Sequence, residues 1–393
     1  MRYLLTTALL SSWLVADMEN FHINGFGTLG LTYQNNDTII YTSSWRCDKG
    51  TQGDLSLAND TKFGLQFDWQ ANEKIDFTLQ GSIDAQGANL DWANFKYRFN
   101  DTHSFKIGQM RFPTAMYSDI LKISYSYNWV RLPSDLYGIL PLTSYRGGEY
   151  NYQGSYKESE YHFKLYGGSA EDTMIGSQDI GDYTISLKHI YGANFSVTLE
   201  HLLLRIGYTH TDISIQNEKI NRYFDMAFAS STLSSEKKAL LHHYDPRNKA
   251  TQYLSFGMKY TYDNFYLLGE YTWMNMNNII SDNYAGYLSA GYHIDTWTPH
   301  LTFSKVTGKS NYTQSVQDSQ IDQALQEMST RTLTSQETIT LGLRYDWREN
   351  IALKIQYDHI KEGKKGRGIS IHTVTPYEPT TIHLLSFSMD FIF

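Results

Sequence analysis

From Phe21 to Phe393 the chain returns about sixteen times to one pattern, a run of roughly ten residues in which apolar and polar side chains alternate. In the run 61–70, Phe63, Leu65, Phe67 and Trp69 share one face, and Lys62, Gln66, Asp68 and Gln70 share the other. The run 75–84 sets Ile75, Phe77, Leu79 and Ile83 against Asp76, Thr78, Gln80 and Asp84. The last, 381–393, sets Leu385, Phe387, Met389, Phe391 and Phe393 against Ser386, Ser388 and Asp390. A period of two is that of a β-strand with one apolar and one polar face. The fold class is therefore all-β.

So many apolar faces must be covered by something. Two stacked sheets could cover one another, but then the connections would have no reason to sort by length. Here they do. Tight turns fall at 71–74, 100–102, 263–264 and 348–350, long polar stretches at 34–60, 212–250 and 307–336, and a long non-alternating segment at 112–144. Mean hydropathy is −0.45, and after the N-terminus no apolar run approaches the roughly 20 residues of a membrane helix. Lipid leaves backbone polar groups unsatisfied, so a sheet crosses a membrane only when closed on itself. These features predict a transmembrane antiparallel β-barrel of about 16 strands, with short periplasmic turns and long extracellular loops. Its apolar face must meet lipid, because charge at mid-depth costs about 2–4 kcal/mol. The other face carries Asp68, Asp76, Asp84, Lys96, Arg98, Lys106, Arg205, Lys259, Glu270, Arg344, Lys354 and Asp358, which belong in an aqueous lumen. Aromatics are abundant, with 31 Tyr, 19 Phe and 8 Trp. Trp69, Trp92, Tyr97, Tyr260, Tyr262, Trp273, Trp297, Trp347 and Tyr357 lie near strand ends, where interfacial girdles would place them. Gly27 and Gly30 are expected to ease the curvature of the first strand.

Residues 1–16 have the form of a signal peptide, with Arg2, an apolar stretch from Leu4 to Val15 and small Ala16. That division leaves 17–393 as the barrel domain. Cys47 is the single cysteine, so a disulfide within the chain is excluded. The net charge of −8 argues against a nucleic-acid partner. Neither a nucleophile elbow nor a His-Glu-x-x-His motif occurs, so no enzymatic activity, metal or cofactor is expected. A helical turn is expected near Ser235–Leu241.

One segment does not alternate. Phe105 to Gly138 runs from a strand through Pro113 into a long aromatic connection that carries Arg111, Asp119, Lys122, Arg131 and Asp135. Loops of this length are usually functional or disordered, and this one is too aromatic for disorder. Here the chain resembles the Gram-negative outer-membrane porins, of the general diffusion type in a proteobacterial lineage. The resemblance rests on Ile107, Gly108, Arg111, Pro113, Tyr117, Ser118, Asp119, Tyr125, Trp129, Arg131, Pro133 and Tyr137, and extends loosely over most of the mature chain. It implies an outer-membrane location, a homotrimer amid lipid and lipopolysaccharide, and a third loop folded inward over roughly 112–144. It also implies that Phe393, with Phe391, forms a signal read by the barrel-assembly machinery. The lysine-rich constriction of phosphate-selective porins has no counterpart here. The expected constriction comprises Asp119, Lys122, Arg131, Asp135 and Arg111, facing lumen-wall residues Lys96, Arg98, Lys106, Arg344 and Lys354. A water-filled channel for passive diffusion of ions and small hydrophilic solutes follows. A non-conducting barrel serving as adhesin or anchor, and a solute-selective channel, stand as alternatives.

Overall fold

A computed structural model describes residues 20–42, 50–140, 142–174, 181–231, 233–369, 371–372 and 378–393. The proposed signal peptide and Cys47 lie outside the described residues. Sixteen long strands form one wall: β1 (Phe21–Gln34), β2 (Lys62–Asn72), β3 (Ile75–Asp84), β4 (Gly87–Arg98), β5 (His103–Arg111), β6 (Ser144–Tyr156), β7 (Ser159–Met174) and β8 (Tyr183–Leu199) make the first half. The second half is β9 (Leu202–Gln216), β10 (Lys249–Tyr262), β11 (Phe265–Asn275), β12 (Asp282–Tyr292), β13 (Trp297–Lys309), β14 (Ser335–Arg348), β15 (Ile351–Glu362) and β16 (Thr381–Ile392). Each strand pairs antiparallel with its neighbours in sequence.

Closure falls on β1. Its Phe21–Thr28 half pairs with β2, and its Phe26–Gln34 half pairs with β16. Gly25 and Phe393 then exchange two backbone hydrogen bonds, of 2.8 and 3.0 Å. On the outer face Gly25 and Gly27 leave room for the rings of Phe393 and Phe391, which a Cβ at either position would strike. Glycines in a strand commonly mark such close approaches. Gly30 faces inward, and it is Asp60 that fills the space above it.

The strand alternation is realised as expected. Leu29, Leu31, Leu65, Leu79, Phe256, Leu301, Phe303, Leu341 and Phe387 all stand exposed on the outside, an apolar belt that only lipid can cover. At one end Trp69, Tyr262, Tyr292, Trp297 and Trp347 ring the wall, and Trp297 stacks on Tyr345 with centroids 4.3 Å apart. Trp92 is a correction to the girdle. Trp92 pairs with the inward Gln80 and shares the face of Asn94, Lys96 and Arg98, the bulge at Asp91 coming only after it, so the indole packs against the buried Met110 cluster inside. Lys106 sits 5.3 Å over its ring.

The connections separate into a turn end and a loop end. Lys157, Asp263 and Asp295 adopt positive φ in the tight turns, as short hairpins require. One loop-end connection departs from the regular pattern: β3 and β4 are joined by Ala85 and Gln86 alone. Elsewhere the loop end is built up by helices α2 (Glu218–Ala229), α3 (Ser235–Tyr244) and α4 (Ser319–Thr332). The expected turn near Ser235 is thus a full helix with two companions. Asn217, Ser234 and Asp318 cap their first amides, which would otherwise lack acceptors. The three pack through Phe224, Leu241, Tyr244, Ile321 and Leu325 into a cap. The four-residue α1 (Ser134–Tyr137) and two 3-10 turns, Ser118–Ile120 and Ser124–Ser126, belong to the segment inside the barrel.

The cap is held partly by one carboxylate. Asp322 accepts hydrogen bonds from Ser315 Oγ at 2.5 Å, Tyr312 Oη at 2.8 Å and the Val316 amide at 2.8 Å. Partial burial acts to raise its pKa, but these donors outweigh it and hold the carboxyl below its ordinary value. A lowered carboxylate pKa stabilises the folded form above the ordinary value of 3.8, and the contribution is lost as pH falls through the native value. Protection of 312–325 from hydrogen exchange, relative to the intrinsic rate at each pH, should therefore hold at neutral pH and fall only below about pH 4. Asp322→Asn should flatten that dependence.

Candidate constriction of the lumen

The inward loop, 112–143, leaves β5 and is drawn onto the opposite wall by side chains that satisfy its backbone. Arg205 Nη2 and Asn194 Nδ2 donate to the Pro113 carbonyl at 2.6 and 2.8 Å, and Arg205 also donates to that of Ala115. Glu270 accepts from the Met116 amide at 2.7 Å, from Tyr287 Oη at 2.6 Å and from Tyr137 Oη. Lys354 Nζ donates to the carbonyls of Ser124 and Trp129 at 2.6 and 2.9 Å and pairs with Asp390 at 2.7 Å. Arg344 donates to the carbonyls of Tyr125 and Tyr127. Irregular backbone within a barrel needs such partners, because it lacks a ladder of its own.

Arg131 is the most heavily bonded of these anchors. Its guanidinium pairs with Asp60 at 2.7 Å and Asp358 at 2.8 Å, and donates to Thr32 Oγ1 and Ser386 Oγ. It therefore ties the loop to β1, β15, β16 and the stretch before β2 together. Asp135, fully buried, pairs with no cation among the described residues. It accepts from Ser304 Oγ at 2.6 Å and Gln336 Nε2 at 3.2 Å, and burial pushes its carboxyl up to about 6 despite those donors. An apolar cluster of Trp129, Leu132, Leu136 and Ile139 against Leu268, Tyr287 and Val306 completes the seat.

This seat is one-sided. Lumen-facing Thr272, Ser289, Thr302, Ser386 and Asp390 on the β11–β16 arc are buried beneath the loop. On the β2–β5 arc Gln66, Asp68, Asp76, Thr78, Lys96 and Lys106 keep partial exposure. The expectation of one solvated inner face thus holds for a single arc. Ser386, Ser388 and Asp390 face the lumen yet are covered.

Across the open arc the charges form a chain. Asp119, with 44% of its side chain exposed, lies 3.3 Å from Lys164. Lys164 reaches Glu149 at 3.5 Å, and Glu149 reaches Lys106 at 3.5 Å. Burial acts to raise the pKa of Asp119, but Lys164 and Arg205 outweigh it and keep the carboxyl below its ordinary value. Lys122 pairs with Asp84, and Arg98 with Asp76 at 2.5 Å. Beside the loop, a slot of about 140 Å³ is lined by Asp60, Lys62, Asp84, Lys122 and Arg131.

The expected site residues thus fall into two groups. Asp119, Lys122, Lys96, Arg98 and Lys106 border the open arc. Arg131, Asp135, Arg344 and Lys354 are buried where the loop meets the wall, and Arg111 is buried against Asp91 at the loop's root. The loop charges do not pair with Lys96, Arg98, Lys106 or Arg111. Their partners Lys164, Asp84, Asp60 and Asp358 come from other strands and loops. Lys164, Glu149 and Asp60 were absent from the sequence-based site, although the alternation of YHFKLYGG already turned Lys164 inward.

A closed sixteen-stranded antiparallel barrel, apolar outside and with one loop folded onto its inner wall, has the architecture of the porins. Several solved structures share it. The outer membrane channel DcaP of Acinetobacter baumannii matches with TM-score 0.59 and 11% identity, over 96% of this chain and 99% of that one. OmpT, an outer membrane protein of Vibrio cholerae, in its trimer form, gives 0.54 and 11% over 95% and 99%. The anion-selective porin of Comamonas acidovorans gives 0.53 and 14% over 95% and 99%. At these identities the likeness is one of fold. No protein-family model and no curated protein matches the chain.

Asp135 makes the loop's docking pH-dependent. Its carboxyl is raised, so the docked state holds the proton more tightly, and docking weakens as pH rises from the ordinary 3.8 through about 6. Proteolytic protection of 129–140 should fall across that window, and Asp135→Asn, keeping the shape, should reduce the fall.

Proposed function

We propose that the chain is an outer-membrane porin whose lumen passes ions and small hydrophilic solutes by passive diffusion along the β2–β7 side of the inward loop. The observation that carries this reading is the one-sided seat of the loop, with partly exposed charged side chains on the arc it leaves uncovered. Solutes passing there meet Asp119 and Lys122 on the loop and Lys106, Lys96 and Arg98 on the wall, with Lys164 and Glu149 buried behind them. Opposed charges at a narrow point sort solutes by size and sign. On this reading the turn end is periplasmic and the helical cap extracellular. The lipid belt calls for outer-membrane lipid and lipopolysaccharide as surroundings, and a homotrimer fits the trimer form of OmpT. Phe393 and Phe391, seated over Gly25 and Gly27 where the wall closes, suit an assembly signal. The cap favours one second reading, a non-conducting anchor or adhesin whose exposed helices are the working part.

Planar-bilayer recording separates the two. Ohmic single-channel currents support the porin, and silence from correctly folded protein selects the anchor. Arg131→Ala should leave Asp60 and Asp358 buried without their cation, weakening the loop's anchorage by about 3–5 kcal/mol. Conductance and the size limit in liposome swelling should both rise. Asp119→Asn should move the reversal potential in a salt gradient toward anion preference. Deleting Phe393 should reduce assembly, scored by heat-modifiable mobility in outer-membrane fractions.

A further inference from the structure

Most of the inner wall is polar, but near the loop end the polarity switches. Along β9 the inward side chains run Thr209, Thr211, Ile213, Ile215. Ile185 on β8 and Met276 after β11 join the same buried cluster, together with Phe112 and Leu142 at the two ends of the inward loop. Above them Ile220 and Tyr223 of α2 and Ala324 and Met328 of α4 form a roof. These parts enclose a chamber of about 540 Å³, within the range of about 300–1,000 Å³ typical of sites for drug-sized ligands. Such apolar cladding does nothing for the passage of sugars or ions. Besides Asn283 and the Arg331–Glu327 pair, the buried Tyr253 and, at the roof, Lys219 bring polar groups to the lining. Asn283 is buried in the chamber lining, and its Oδ1 accepts no hydrogen bond among the described residues. At the roof, Arg331 is paired with Glu327 at 2.7 Å, so this pair's charge is already compensated and does not call for an ionic ligand.

We infer that this chamber is a binding site for an uncharged molecule with a rigid apolar body, aromatic or alicyclic, carrying one hydrogen-bond donor for Asn283 Oδ1. The body displaces water from Ile213, Ile215, Met276 and Phe112, and burial of its apolar surface drives binding. The donor satisfies an acceptor that is otherwise buried without a partner. The chamber lies between cap and inward loop, so a solute entering from the loop end meets it first. That last step rests on the channel reading; the binding itself does not.

The test is a fluorescence titration of the refolded full chain in detergent with 2-naphthol, which has two fused rings and one O–H. The expected result is saturable binding of one molecule per chain. Ile213→Thr with Ile215→Thr extends the threonine ladder of the same strand, and it should weaken binding roughly tenfold through the lost apolar contact. Ala324→Trp fills the chamber without making it polar and should abolish saturable binding. 2-Methoxynaphthalene, which has no donor, should bind several-fold more weakly to the wild type and equally to Asn283→Leu. Heat-modifiable mobility identifies the variants that have folded, and dye uptake by micelles is common to all samples. Non-saturable uptake equal in wild type, the double threonine variant and Ala324→Trp would overturn the proposal. Equal affinity for the two dyes would remove the donor. Silence in bilayers beside saturable naphthol binding would sink the channel reading and leave this one standing.

Discussion

Every feature of this protein follows from the need to leave no backbone polar group facing hydrocarbon. A row of sixteen strands meets that need only if its first and last members find each other, and β1 does so by dividing its length between β2 and β16. Closure fixes which residues point inward, because the side-chain period admits no slippage once both edges are bound. Lys354, Arg344, Glu270 and Arg205 then have nowhere to go but the interior. Their charges could not remain there unpaired.

The inward loop resolves that difficulty, and the relation is mutual. The loop has no ladder of its own, so its carbonyls need donors and its amides need acceptors. The wall's charged groups supply both, at Pro113, Ala115, Ser124, Tyr125 and Trp129 for the carbonyls and at Met116 for an amide. Charge buried in this way is retained for position more than for stability. The result is a loop held in one place against one arc, with the opposite arc left polar and accessible.

Much of this was legible in the sequence, because strand alternation is local and each run states its own two faces. The sixteen strands, most of their inward and outward residues and the closing strand follow from period and loop length, whereas the inward course of 112–144 was implied by the resemblance to porins. What escaped was set by partners distant in the chain. That Asp119 meets Lys164, or Arg131 meets Asp60 and Asp358, depends on where the loop crosses the lumen, which no local pattern encodes. Trp92 misled by its position near a strand end, although alternation with Asn94 and Lys96 already turned it inward. The helix α4 was readable and passed over: Asp318 caps it, and Ile321, Leu325 and Met328 recur at helical spacing.

The two-residue link between β3 and β4 shapes the mouth of the barrel. β3 has 10 residues and β8 has 17. At roughly 3.3 Å per residue the wall is about 20 Å taller along the strand on one side than on the other. The tall side rises toward the helical roof, whereas the low side ends beside Asp84 and Lys122. The opening is therefore tilted like a cut reed, its low lip directly above the arc that the loop leaves bare.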